Sequence, residues 1–270
     1  MAVIALWIEY DGTAYVGWQR QPNGVSIQQR LEEVLSEVCG ESVSLQSSGR
    51  TDAGVHAREM VAHFQVAKPL PLGAYQHGVN RLLPRDIVVR QVRRVADSFH
   101  ARYSARRKWY RYSLYLSPLR SPLRERFHWH LKRPLDIYQM REAARFFVGE
   151  HDFSAFRASG CSARSTRRRI DSIDLLEEGE CLHIDVRGSG FLRHMVRIMV
   201  GTLVQVGQGK RPPDDIRLLL EQGEADHIRL SAPAQGLCLM QVEYPMELLS
   251  VDENEGGEGE KDLDITGLIS

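Results

Sequence analysis

Runs of apolar residues with period two, and runs with period near 3.6, follow one another in the same order twice along this chain. That order narrows the fold more than any other feature of the sequence. Ile4, Leu6, Ile8 and Tyr10 alternate as in a strand that stops at the turn residues Asp11 and Gly12. Ser26 followed by Gln29 is a capping-box pattern. Ile27, Leu31, Val34, Leu35 and Val38 then fall on one helical face, and Gly40 supplies a stop. A short strand near 43–46, a strand near 60–66, a helix after Pro71 and a strand at 87–95 complete the order β-α-β-β-α-β. The second half runs through a strand at 109–116, a helix at 135–147, strands at 170–176 and 182–186, a long helix at 192–206 and a final strand at 237–244. One helix, at 213–221, is an addition. This is the ferredoxin-like order, in which an antiparallel sheet carries its helices on one face. The expected fold is α+β: two ferredoxin-like (RRM-like) halves, residues 1–104 and 105–245, whose antiparallel sheets form a central cleft. The halves share element order without evident identity, so the duplication is one of architecture.

With 270 residues and 43% apolar content, the chain is large enough for two such units. No stretch approaches the roughly 20 consecutive apolar residues of a membrane span. The opening MAVIALWIEYDG lacks the basic region and cleavage site of a signal peptide, so the chain is expected to be soluble and cytoplasmic. Cys39, Cys161, Cys181 and Cys238 stand far apart, and His56 and His63 fit no zinc spacing, so no metal is expected. The formal charge of zero conceals an uneven distribution. From Met246 onward there are eight acids against one base, which leaves 34 bases against 27 acids before it, or about +7. A basic body is the sign expected of a nucleic-acid binder. The segment 246–270 is expected to be a disordered acidic tail, because its Gly and Glu run has too little apolar surface to offset the entropy of ordering.

Three segments carry candidate chemistry. In SGRTDAGVHA, from Ser48 to Ala57, Gly49 and Gly54 bracket Arg50 and Asp52, which allows tight backbone conformations that hold both side chains at the crown of a loop. An Asp between glycines is ordinarily a turn former, so the residues alone leave both readings open. GSGFLRHMVRIMVG, from Gly188 to Gly201, sets Met195, Met199 and Leu203 on one helical face and Arg193 and Arg197 on another. If that helix lines the cleft, one of these guanidinium groups can pair with a buried carboxylate. ARRKWYRYSLYL, from Ala105 to Leu116, runs Arg106, Arg107 and Lys108 into Trp109, Tyr110 and Tyr112. Cations beside aromatics suit RNA, with charge on phosphates and a base on a ring, yet aromatics on a strand commonly pack a core. Tyr110 and Tyr112 are equivalent at this level. Arg164, with Arg167, Arg168 and Arg169, forms a further candidate phosphate-binding loop.

Together GRTDAGVHA, KWYRY at Lys108 to Tyr112 and FLRHMVRIMVG at Phe191 to Gly201 resemble the TruA family of tRNA pseudouridine synthases. WQRQPNGVSIQQRLE at Trp18 to Glu32 and DFSAFRA at Asp152 to Ala158 extend the likeness over residues 2–245. Several separated motifs in one order are far more specific than a single short pattern. The resemblance implies a pseudouridine synthase fold and isomerisation of uridine to pseudouridine at neighbouring positions of the tRNA anticodon stem-loop, by a homodimer. It implies Asp52 as the catalytic carboxylate, Arg197 as its ion-pair partner and Tyr110 as the ring that stacks on the target base. Arg50 is implied in displacing the nucleotide, with Phe191 and Leu192 as further substrate contacts and Arg164 and Arg168 on the RNA backbone. The reaction oxidises nothing and imports no group, so no cofactor is expected. A noncatalytic RNA-binding protein of the same fold, and a hydrolase that releases the base, are the competing readings.

Overall fold

The computed structural model describes residues 1–158, 160, 163–223 and 230–249. In the first half, β1 (Ala2–Tyr10) is followed by α1 (Ile27–Cys39), β2 (Gln46–Ser47), β3 (His56–Val66), a π-helical turn at Ala74–Gly78 that continues into α2 (Val79–Leu82), and β4 (Ile87–Val95). The second half contains β5 (Arg107–Leu116), β6 (Trp129–Leu131), α3 (Ile137–Arg145), β7 (Gly149–Asp152), β8 (Arg167–Glu178), β9 (Cys181–Gly188), α4 (Met195–Gly207), α5 (Asp215–Gln222), β10 (Leu237–Glu243) and α6 (Met246–Leu249).

Helix α1 starts where its side chains require. Ser26 Oγ accepts from the Gln29 N–H at 3.1 Å, and Gly40 closes the helix in the left-handed region with φ 69°. The reciprocal half of the capping box does not form, because the Gln29 amide turns to Glu33 at 2.8 Å. Ile27, Leu31, Val34 and Leu35 are buried against the sheet, and Val38 lies at the margin.

Each half has the strand arrangement of a ferredoxin-like unit: β4-β1-β3 with β2 on the far edge of β3, and β10-β5-β9-β8. The halves do not keep separate sheets. β2 is only two residues long and occupies β3 at Ala62 and His63, which leaves the N-terminal end of β3 free. There β10 pairs in parallel, Cys238 with His56 and Leu239 with Ala57, and ten strands become one continuous sheet. All other strand pairs except β5 with β6 are antiparallel.

The short strands β6 and β7 lie outside the periodic pattern, and α4 begins at Met195, three residues after the expected start. Of the segment assigned to the tail, Met246–Leu249 forms α6, and Leu248 O accepts from the Ala96 N–H at 3.2 Å. The rest of the acidic tail lies outside the described residues, as does Cys161. Among the described residues no helix is long and apolar enough to cross a membrane.

Candidate active site

The Ser48–Ala57 segment leads directly into β3 at the seam between the halves, and it is held from several sides. The Ser48 N–H donates to Val61 O at 2.7 Å, the Trp18 N–H donates to Thr51 O at 3.1 Å, and the Thr51 and Tyr10 hydroxyls lie 2.7 Å apart. A turn closes at its tip, where the Val55 N–H donates to Asp52 O at 3.1 Å and Gly54 takes φ 77°. Gly17 adopts φ 101°, and a Cβ there would stand 2.6 Å from Thr51 O, so both conformation and space require glycine. Gly49 is different: its φ is not positive, and a side chain there would meet Lys108 Nζ at 3.0 Å.

His56 follows this loop and ties the seam. It is buried; its Nδ1 lies 3.1 Å from both Gly12 N and Asp11 Oδ1, and its Nε2 lies 2.9 Å from Arg126 O and 3.2 Å from Gln235 O. Burial lowers its pKa against the opposing pull of Asp11.

The loop presents Asp52 with its side chain 24% exposed, and Arg197 from the first turn of α4 meets it, Nη1 to Oδ2 at 3.2 Å. The same guanidinium donates from Nε to Ala232 O at 2.7 Å, so it is braced on both sides. Arg193 does not share this position. It precedes α4, is exposed, and lies off the helical face that the i, i+4 spacing suggested.

Ala57, Leu239 and Tyr110 sit in register across β3, β10 and β5, which brings the tyrosine to the same seam as the loop. Tyr110 and Tyr112 have equal parity on β5 and so face the same side. Tyr112 is fully buried, and its hydroxyl donates to Pro233 O at 2.8 Å. Tyr110 is 8% exposed, with Phe191 edge-on at 5.1 Å between ring centroids. Burial raises the Tyr110 pKa, and the nearby charge of Asp52 raises it further.

Phe191 is half-buried beside Tyr110, whereas Leu192 is 5% exposed and packs in the core. Arg50 is exposed at the loop and has no ion pair among the described residues. Arg164 is exposed. Along β8 the strand alternation sorts the basic run: Arg167 pairs with Glu150 and Arg169 with Asp171, both at 3.1 Å. Arg168 is half-buried against Gly190, with Nη1 on Ser165 O at 2.9 Å.

The cations around Trp109 are arranged differently from the expected RNA platform. Arg106 pairs with Glu247 and Arg107 with Asp171, each at 3.4 Å. Arg111 binds Asp185 through two bonds of 2.7 and 2.9 Å. Trp109 points to the opposite face from Tyr110 and lies between the guanidinium groups of Arg111 and Arg187, 5.5 and 4.5 Å from its ring centroid.

Lys108 alone of this run reaches the loop, donating from Nζ to Ser48 O at 2.6 Å. Burial pulls its pKa down to about 8, and the positive charges of Arg102 and Arg168 add to the shift. The unfolded chain holds this proton up to the ordinary lysine value of 10.5, so between about 8 and 10.5 it binds more protons than the folded chain. The contribution of Lys108 to stability therefore rises with pH across that window, by about 1.4 kcal/mol per unit of displaced pKa, and is flat above it. Urea unfolding of the wild type and Lys108→Met from pH 7 to 11 checks this: the stability difference between them is expected to shift in that direction, and a constant difference would contradict it.

Comparison with known proteins gives matches over most of the chain. The model of a family described as tRNA pseudouridine synthase matches residues 6–104 and 143–245. The tRNA pseudouridine synthase A of Syntrophotalea carbinolica is 62% identical over 244 residues, covering 90% of this chain and 97% of that protein. The protein of the same description from Pelobacter propionicus is 54% identical over 244 residues, covering 90% and 100%. That from Blochmanniella pennsylvanica is 43% identical over 247 residues, covering 92% and 95%. Matches of this extent span both halves and the loop between β2 and β3, and the chain belongs to the tRNA pseudouridine synthase family.

Proposed function

We propose that this protein isomerises uridine to pseudouridine in the anticodon stem-loop of tRNA, with Asp52 as the catalytic carboxylate. The observation that carries the reading is the meeting of three distant segments at the seam: Asp52 from the loop before β3, Arg197 from α4 at 3.2 Å, and Tyr110 from β5. Isomerisation breaks the bond from N1 to C1′, turns the detached base and joins C5 to C1′, while C5 loses a proton and N1 gains one. The atoms of the nucleotide are conserved, so a carboxylate placed at the ribose is sufficient equipment. Asp52 serves this step as nucleophile or as base toward the sugar. Arg197 is its ion-pair partner, and Tyr110 with Phe191 supplies the surface on which the detached base turns.

Arg50, exposed and without an ion pair among the described residues, suits the task of displacing the nucleotide from its stack, which costs a few kcal/mol. Arg164 and Arg168 suit phosphates of the stem, and Leu192 backs the base pocket from the core. On the family resemblance the working unit is a cytoplasmic homodimer.

Tritium release from unmodified tRNA labelled at uridine C5 tests the reading, with carbodiimide mapping of the product. Release together with new reverse-transcription stops in the anticodon stem-loop is expected. RNA binding without release would leave a noncatalytic RNA-binding protein, and free uracil would mark a hydrolase.

A further inference from the structure

Among the described residues, His194 is the one non-glycine side chain carried by a backbone of positive φ, at φ 61° and ψ 2°. Glycine takes this conformation without steric cost, and a residue with a Cβ does not. The position gains nothing for the helix it precedes. A capping side chain sits on extended backbone and accepts from the first turn, whereas His194 stands at the N-cap of α4 in the left-handed region and makes no such bond.

Its imidazole is directed elsewhere. Nε2 lies 3.4 Å from Asp52 Oδ2, the oxygen that Arg197 Nη1 approaches at 3.2 Å. The His194 side chain is 26% exposed and that of Asp52 24%, so both are partly open to solvent. Burial lowers the His194 pKa; Asp52 opposes that shift, and Arg197 and Arg193 reinforce it. Two groups thus stand at Oδ2, and no hydrogen bond from the described residues reaches Oδ1.

We propose that His194 is a positioning residue for the isomerisation: held in a strained backbone, its imidazole secures Asp52 Oδ2 together with Arg197, so that Oδ1 is the oxygen turned toward the ribose. This rests on the role of Asp52 proposed above. Strain retained beside the reacting carboxylate, where glycine would relieve it, is how a fold keeps a side chain in a required place. Misplacing a reacting group by about 1 Å costs on the order of 100-fold in rate, which sets the scale of the effect.

His194→Gly and His194→Gln separate this role from a structural one. The glycine variant relaxes the backbone and removes the imidazole. Its thermal midpoint is expected to equal or exceed that of the wild type, its single-turnover rate of tritium release to fall about 10- to 100-fold, and its affinity for tRNA to stay unchanged. The side-chain amide in His194→Gln restores an N–H at the reach of Nε2, so this variant is expected to recover the rate to within about threefold of the wild type. The proposal is overturned if His194→Gly keeps the wild-type rate, if it lowers the midpoint, or if His194→Gln loses as much rate as His194→Gly. Asp52→Asn run alongside keeps the two ideas apart: full activity there removes the role of Asp52 itself, whereas loss of activity there with wild-type rate in His194→Gly removes only the role of His194.

Discussion

Asp52→Asn is expected to lower the single-turnover rate of tritium release by about 10⁴-fold or more, while tRNA affinity changes by no more than about threefold. The amide has the shape of the carboxylate and keeps an oxygen for Arg197, so the loop should stay in place. What it lacks is the charge and basicity that the reaction needs. The loop is held by bonds that do not involve the Asp52 side chain: Ser48 N to Val61 O, Trp18 N to Thr51 O, and the Thr51 and Tyr10 hydroxyls. Unchanged thermal stability in the variant would show that the loss is chemical. Retention of more than about one hundredth of the rate would remove Asp52 from the chemistry.

Arg197→Met is expected to damage both activity and folding. Its guanidinium joins Asp52 Oδ2 at 3.2 Å to Ala232 O at 2.7 Å, and its side chain is only 14% exposed. Removing it strands a partly buried carboxylate and a carbonyl, a loss of about 2 to 4 kcal/mol in urea unfolding. The rate should fall about 10²- to 10³-fold, the scale of losing one fixed charge donor at a reacting centre. Arg197→Lys keeps the charge but has no planar fork with which to hold both partners, so it should recover less than half of the lost stability. In a double-mutant cycle, Arg197→Met should cost less stability in the Asp52→Asn background than in the wild type, because a neutral amide is less costly to leave unpaired than a carboxylate. Additive effects would show that the pair is not formed in solution.

Much of the fold is legible in the residues because local rules decide it. The bounds of β4 and the start and stop of α1 follow from alternation, from the Ser26 hydroxyl and from the left-handed Gly40. The ferredoxin-like order of both halves follows from the succession of periods, and the sheet orders β4-β1-β3-β2 and β10-β5-β9-β8 agree with it. The site is legible to the extent that Asp52, Tyr110 and Arg197 occur in separate specific motifs, and the structure brings these three to one seam.

Other features depend on contacts that no local pattern encodes. The seam itself rests on two residue pairs between strands about 180 positions apart, made possible because β2 is too short to fill the edge of β3. Tyr110 and Tyr112 are alike in the sequence; Pro233 O and the close approach of Gly236 occupy Tyr112, whereas Tyr110 packs against Phe191 at the seam. Arg193 and Arg197 are alike as an i, i+4 pair until the left-handed His194 delays the helix and separates them. The cations next to Trp109 look like an RNA surface, but strand parity turns Arg111 to the far face and Asp185 neutralises it there. The periods, the caps and the family motifs can be read locally, because hydrogen bonds and side-chain spacing within a few residues are enough to specify them. Apart from the family resemblance, residues equivalent in the sequence are told apart by tertiary contacts, because which of them meets Asp52 depends on neighbours supplied by strands and loops remote in the chain.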